Sequence, residues 1–130
     1  GRVLTPRELE PMHALKTGAL IEASIQCGAL MAGADEVRLK CLTTYARKIG
    51  LAFQVADDIL NVEGNPEVMG KAVGTDRLHQ KNTYPSLLGL AASKQLAQKL
   101  IHQALQAIET FDKKREPLHA LASYIIERNR

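Results

Sequence analysis

Two adjacent carboxylates stand within a strongly apolar segment of the sequence. Asp57 and Asp58 combine with Gln54 and Asn61 at spacing i, i+3, i+4 and i+7, so on a helix the four side chains form one polar stripe. A helix that is apolar around most of its girth is usually buried, and buried carboxylates are costly unless a positive group meets them. The apolar flanks are Ile49, Leu51, Phe53, Val55, Ala56, Ile59, Leu60 and Val62.

The same pair of carboxylates suggests a chemistry. At an effective dielectric constant near 20, two like charges about 4 Å apart repel by roughly 4 kcal/mol. A divalent cation shared with a phosphate ligand would turn that repulsion into a binding site, since Mg²⁺ prefers oxygen ligands and is commonly shared with phosphates. The alternative is a solvated pair of aspartates near the end of a helix.

Two long helices are predicted before and around the stripe. Thr5-Pro6-Arg7-Glu8 has the pattern of a capping box with proline at the first helical position, and it predicts a helix from about Pro6 to Met31. A turn marked by Gly33 and Asp35 follows, and a second helix runs from about Glu36 to Val62. Each would be about 40 Å long.

The second part of the chain is predicted to continue with helices after a long loop. The stretch from about 63 to 83 is rich in glycine and polar residues, and a loop of that length is often a functional lid. Three further helices are predicted, from about Thr83 to Leu90, from Ser93 to Phe111 and from Glu116 to Arg128. No segment alternates like a strand, so the fold class is predicted to be all-α.

Composition narrows the classes of function. The chain has 130 residues, one domain at most or part of one, with 45% hydrophobic and only 4% aromatic residues, which predicts a core of Ala, Leu, Ile and Val. The net charge of +3 comes without a Lys/Arg block, which argues against nucleic acid as a partner. Cys27 and Cys41 lack metal-ligand spacing and are predicted to be reduced, buried thiols. With no signal peptide and no membrane-length apolar run, a cytoplasmic location is expected.

Four ordered segments resemble motifs of the trans-isoprenyl diphosphate synthases. Phe53–Asn61 resembles the second aspartate-rich motif, F-Q-x-x-D-D-x-x-D, and Lys16–Gly18 resembles the K-T-G motif. Gly70–Pro85 contains Gly-Lys, Gly-Thr-Asp and Lys-Asn-Thr-Tyr-Pro in the family's order, and Tyr124–Arg130 is similar to the carboxy terminus of bacterial farnesyl diphosphate synthases. The similarity extends from about Leu9 onward and implies the carboxy-terminal half of an isoprenoid-synthase helical bundle.

The chain departs from the family pattern at two points. The last acid of the second motif is replaced by Asn61, which offers a carbonyl oxygen without charge. The first aspartate-rich motif with its paired arginines is absent, since the sequence holds no other Asp-Asp pair and no Arg-Arg pair. The chain is therefore expected to be a piece of a longer enzyme, inactive alone.

The resemblance implies the roles of the site residues. Asp57, Asp58 and Asn61 would hold Mg²⁺, with Mn²⁺ as a substitute, and Arg128 would approach the homoallylic diphosphate unless it is an exposed chain end. Thr83 and Tyr84 are expected to cap the helix that follows the loop. The catalytic candidates, which would also bind the substrates together with Phe53, are Lys16, Thr17, Gln54, Lys71 and Lys81.

The catalytic candidates have plainer alternatives, which for the three lysines is a solvated position on the surface. Thr17 would donate its hydroxyl to the diphosphate region, or bond back to a helix carbonyl instead. Gln54 would contact the allylic substrate, or serve as a buried amide bonded to backbone. The lysines would stabilise negative charge as the carbon–oxygen bond of the allylic diphosphate breaks.

The implied activity is Mg²⁺-dependent condensation of isopentenyl diphosphate with dimethylallyl or geranyl diphosphate to give farnesyl diphosphate. A rival hypothesis is a non-catalytic small subunit of a heteromeric prenyl diphosphate synthase. In either case the apolar helices need a cover, so the partners are expected to be a missing amino-terminal half or second chain, and a homo-oligomer, most simply a dimer.

Overall fold

The computed structural model describes residues 3, 5, 8, 17–64 and 83–128, and within these residues every regular element is helical. The prediction of an all-α fold is confirmed. The elements in chain order are α1 (Ala19–Met31), α2 (Glu36–Glu63), α3 (Tyr84–Leu88), α4 (Leu90–Ala107), a 3₁₀ turn (Lys113–Arg115) and α5 (Glu116–Glu127).

The start of α2 follows from its cap. Gly33 adopts a left-handed φ of 73°, which reverses the chain after α1 at little steric cost. The Asp35 side chain then accepts a hydrogen bond from the backbone N–H of Arg38 at 2.8 Å. The predicted bounds of α2 are right to within one residue, since it begins at Glu36 and ends at Glu63. Before α1, the Glu8 carboxylate accepts from the backbone N–H of Thr5 at 2.9 Å, as a capping box requires of its acid, and also from the Thr5 hydroxyl at 2.9 Å.

The helices in residues 83–128 begin at a complete capping box. Thr83 and Ser86 exchange side-chain and backbone hydrogen bonds, with Pro85 in the first turn, which confirms the predicted capping role of Thr83. Gly89, with φ 86°, then separates α3 from α4.

The structure has a shorter break between α3 and α4 than the sequence predicted, and α4 ends earlier than predicted. α4 begins at Leu90 rather than Ser93, and it stops at Ala107 rather than Phe111. The chain tightens after α4 because Ile108 N–H bonds to the Leu105 carbonyl at 3.3 Å, and Asp112 then caps the 3₁₀ turn.

The core lies where α2 packs against α4, with α1 and α5 set against α2. It is built mainly from small aliphatic side chains, as the composition predicted. One aromatic exception is Tyr45, whose hydroxyl donates to the Leu118 carbonyl at 2.6 Å and so ties α2 to α5. The principal core residues of the three helices are Ile49, Ala52, Val55, Ile59, Ala97, Leu100, Ile101, Ala104, Ala122 and Ile125.

Helices α1 and α2 approach each other closely through two glycines. A Cβ atom added to Gly50 would lie 3.1 Å from the Cα atom of Gly18, too close without a backbone shift. Gly18 therefore allows the two helices to pack closely, a role that its low helix propensity does not indicate.

The prediction of two buried thiols is wrong, although both cysteines are free. Cys27 is exposed because Ile21 and Ile25 form the α1 face that packs toward the core, and Cys27 lies on the opposite side of the helix. Cys41 is partly exposed.

Candidate functional site

The polar stripe lies at the edge of the buried surface of α2. One side of this helix, including Val55, Ala56 and Ile59, is buried. Gln54, Asp57 and Asp58 are intermediate in exposure, and Asn61 is exposed. The stripe is thus less buried than the apolar flanks suggested, and its two carboxylates can meet solvent or a ligand.

Asp57 pairs with an arginine from the other end of the described chain. Arg128 Nη2 donates to Asp57 Oδ1 at 2.8 Å, and the Arg128 guanidinium carbon lies 4.2 Å from the centroid of the Phe53 ring. The arginine side chain is 18% exposed and the carboxylate 50% exposed. The structure therefore brings Phe53, Asp57 and Arg128, all predicted as site residues, into one contact cluster. It also excludes the frayed-end alternative for Arg128.

Asp58 has a different partner. Its Oδ2 accepts a hydrogen bond from the backbone N–H of Tyr84 at 3.0 Å, at the first residue of α3. A carboxylate at a helix N-terminus also meets the positive end of the helix dipole. Asp58 thus links α2 to the first residue of α3, a role that the sequence did not predict. The predicted N-cap at Thr83 could have suggested such an acceptor.

The donor set fits Mg²⁺ held together with a phosphate ligand. Within residues 17–64 and 83–128 and the three isolated described positions, no three His, Cys, Asp or Glu side chains group as a metal cage. Two carboxylates and one amide suit Mg²⁺, which is usually held by one or two carboxylates plus phosphate oxygens and waters. The buried Nε of Arg128 lacks an acceptor among the described residues, so the contact with Asp57 leaves part of the donor capacity of the guanidinium unused.

The glycine contact brings Thr17 to the same helix. Thr17 and Gly18 form a half-buried turn before α1, and Gly18 rests on Gly50, one helical turn before Gln54. The sequence segment that resembles the K-T-G motif therefore lies beside the helix of the carboxylates. Neither glycine was predicted as part of the site, although a glycine within a predicted helix is a signal of close backbone approach.

Three predicted site residues lie outside the described residues. They are Lys16, Lys71 and Lys81, and the greater part of the predicted lid, residues 65–82, lies outside as well.

A shallow groove of about 240 Å³ adjoins the cluster between α2, α4 and α5. Its apolar surface comes from residues such as Ile59, Ala97 and Ile125, and Arg128 lies on its polar side. Lys94 and Glu63 form an ion pair across it. In the described part of the chain, no helix combines the length and apolar character that crossing a membrane requires.

Comparison with known proteins gives consistent matches. The polyprenyl synthetase family matches residues 2–122. The chain is 50% identical over 117 residues to a dimethylallyltranstransferase of Fischerella ambigua, covering 90% of this chain and 34% of that protein. It is 47% identical over 126 residues to the farnesyl diphosphate synthase of Escherichia coli, covering 94% of this chain and 42% of that protein.

Solved structures agree on the fold. An FPP/GFPP synthase from Zymomonas mobilis superposes with a TM-score of 0.81 at 33% sequence identity, covering 95% of this chain and 39% of that one. The chain thus spans between 34% and 42% of the length of these relatives.

Proposed function

The chain belongs to the polyprenyl synthetase family, and on that premise we propose that it carries part of the active site of a prenyl-transferring enzyme. The proposed reaction joins an allylic diphosphate to isopentenyl diphosphate. The carbon–oxygen bond of the allylic substrate breaks, and the electron pair leaves with the diphosphate. The double bond of isopentenyl diphosphate attacks the allylic carbon, a carbon–carbon bond forms, and a proton is lost.

We propose dimethylallyl or geranyl diphosphate as the allylic substrate and farnesyl diphosphate as the product. The relatives include proteins named dimethylallyltranstransferase, farnesyl diphosphate synthase and geranylgeranyl diphosphate synthase, and these names refer to prenyl groups or prenyl diphosphates.

The observation that carries the proposal is the position of the two carboxylates. Asp57 and Asp58 stand side by side at the rim of an apolar bundle, and Asp57 remains half exposed. With Asn61 they would hold Mg²⁺, which when bound neutralises the diphosphate and acts as a Lewis acid toward the leaving group. The apolar helices around the stripe would exclude water, which would otherwise quench the allylic cation.

The remaining candidates have roles in binding the substrates. Lys16, Lys71 and Lys81 would stabilise negative charge on the leaving diphosphate. Thr17 and Gln54 would contact the allylic substrate where α1 and α2 meet. Phe53 would line the same region, and Arg128 would donate to a diphosphate oxygen.

The rival hypothesis is a non-catalytic small subunit, in which the aspartate motif would not function in metal binding. The sequence retains the pair Asp57-Asp58, and Arg128 contacts Asp57, which favours a catalytic role over the small-subunit hypothesis. Because the relatives are more than twice as long, we propose that catalysis requires the part of the fold that this chain does not span.

The test is a prenyl-transfer assay with Mg²⁺, isopentenyl diphosphate and geranyl diphosphate. The 130-residue chain should be inactive alone and gain activity when the remaining part of a relative, such as the Escherichia coli synthase, is added. The same part of the relative without this chain is the control. Full turnover by the chain alone would refute the need for the other part, and no turnover in the mixture despite association of the two polypeptides would contradict catalysis.

A further inference from the structure

We propose that Arg128 is a built-in counter-ion of Asp57, which occupies the metal-binding carboxylate in the metal-free protein and moves to the diphosphate when metal and diphosphate bind. This inference rests on the proposed function, in which Asp57 holds Mg²⁺. It concerns the contact between Arg128, after the end of α5, and the carboxy-terminal third of α2, and it gives that contact a part in the binding cycle.

The contact is specific in its geometry. Arg128 directly follows α5 as its C-cap residue with an extended conformation, φ −60° and ψ 126°, which directs the chain away from the helix. Its Nη2 reaches Asp57 Oδ1 at 2.8 Å, and its guanidinium lies over the Phe53 ring at 4.2 Å. A guanidinium over an aromatic face gains cation–π attraction, which holds it in one orientation.

The arginine and a metal ion compete for the same carboxylate. Mg²⁺ binds carboxylate oxygens at about 2.1 Å, so it needs a lone pair and a strong negative charge at Asp57. The Arg128 guanidinium already uses one oxygen and neutralises the charge. A divalent cation at the other oxygen would lie within a few ångströms of the guanidinium and be repelled by it. The carboxylate itself stays accessible, because the Asp57 side chain is 50% exposed.

The arginine also has a reason to leave. Its buried Nε meets no acceptor in the described part of the chain, so the present contact uses only part of its donor capacity. A diphosphate presents oxygens that match two adjacent guanidinium donors at once. Binding of Mg²⁺ and diphosphate would therefore remove Asp57 from Arg128 and supply a better acceptor. Arg128 would act as a positioning residue for the metal and then as a ligand for the anion.

Two roles for Arg128 predict opposite changes in metal affinity when the arginine is removed. If Arg128 merely held Asp57 in the correct rotamer for the metal, its loss would weaken metal binding. If it occupies Asp57, its loss strengthens binding of the metal alone. The chain offers a control in Arg47, which lies on the same helix as Asp57 and places its Nη2 2.9 Å from Oε1 of Glu22 on α1. Arg47→Gln removes the same charge and a more exposed ion pair, ten residues before Asp57 in the sequence.

The experiment measures Mn²⁺ binding to the 130-residue chain from the electron paramagnetic resonance signal of free Mn²⁺. We expect Arg128→Gln to bind Mn²⁺ about fivefold more tightly than the wild type, or more, in the absence of diphosphate. Arg47→Gln should match the wild type, and Asp57→Asn should lose the site. With inorganic diphosphate present, the advantage of Arg128→Gln should vanish or reverse, because the anion then loses its arginine.

A second readout follows the arginine itself. In the metal-free protein the Arg128 side-chain protons should carry ring-current shifts from Phe53, and Phe53→Leu should remove these shifts. Adding Mg²⁺ with inorganic diphosphate should move the resonances away from those values. Metal binding that depends on Asp57 but is unchanged or weakened in Arg128→Gln would overturn this inference alone. Absence of metal binding in both the wild type and Arg128→Gln would overturn the proposed metal site and this inference with it.

Discussion

At the residue scale, Asp57 and Asp58 are neighbours in sequence with separate tasks. Asp57 meets the side chain of Arg128, while Asp58 meets the backbone of Tyr84. The sequence predicted the pair as a unit because both lie on one stripe. It could not predict the division, because each partner is more than 20 residues away and is brought near only by the packing of α3 and α5 against α2.

The hydrogen bond from Tyr84 predicts a stability effect specific to Asp58. Asp58→Ala should lower the free energy of unfolding by about 1–2 kcal/mol, since a buried N–H at the start of α3 loses a charged acceptor. Asp58→Asn, which keeps an oxygen acceptor, should lose less. Urea unfolding measures both, with Gln95→Ala at an exposed position of α4 as the control. An Asp58→Ala variant as stable as the control would contradict the fastening role.

Burial raises the pKa of Tyr45 to about 12. Below pH 10 the phenol is neutral in both the folded and unfolded states, so it adds no pH dependence. Between pH 10 and 12 the unfolded state ionises first, and folding stability should fall by about 1.4 kcal/mol per pH unit from this group.

The comparison is with Tyr45→Phe, which should lose this part of the alkaline sensitivity. The variant should also lose about 1 kcal/mol at neutral pH, because the hydrogen bond to the Leu118 carbonyl is gone. Thermal unfolding from pH 8 to 12 measures both effects. Parallel pH profiles for the two proteins would contradict a buried phenol.

At the element scale, helix boundaries were predictable where local chemistry decides them. α2 has an Asp35 cap and a Gly64 end, and both bounds were right to within one residue. The end of α4 was missed because its apolar periodicity continues through Ile108 and Phe111, both of which pack on the core although the helix stops at Ala107. The prediction extended the helix because apolar residues that are buried after a helix has ended can continue the same spacing as those within it.

The close approach of α1 and α2 predicts opposite effects for two glycines. Gly50→Ala should destabilise the fold by about 1–3 kcal/mol, because its new methyl group would press on the Gly18 backbone. Gly28→Ala has nothing within 4 Å and lies inside α1, so it should stabilise by about 0.5–1 kcal/mol. Denaturant unfolding compares the two. Equal effects of the same sign would show that the helices are not in backbone contact.

At the scale of the whole molecule, large apolar side chains remain exposed on α1 and the start of α2. Met31 is 89% exposed and Val37 73% exposed on either side of the turn between the helices. Leu20 and Leu30 on α1 are also exposed, by 69% and 60%. Where exposed apolar side chains form a contiguous patch, that patch usually marks an interaction site.

We predict that the chain associates with itself or with a second polypeptide through this surface. Light scattering should give a mass above 14.2 kDa for the isolated chain. Met31→Lys combined with Val37→Lys should shift it toward monomer, while Lys substitutions at Gln95 and Gln106, exposed positions on α4, should not. A stable wild-type monomer with a sharp thermal transition would refute the prediction.

The central claim is that Asp57 and Asp58 hold Mg²⁺ together with a prenyl diphosphate, and a calorimetric titration tests it most directly. A non-hydrolysable geranyl thiolodiphosphate is titrated into the chain with and without Mg²⁺, and into Asp57→Ala, Asn61→Ala and Asn61→Asp. The account predicts Mg²⁺-dependent binding that Asp57→Ala abolishes, that Asn61→Ala weakens less and that Asn61→Asp retains. Binding that persists without Mg²⁺, or that survives Asp57→Ala unchanged, would contradict it.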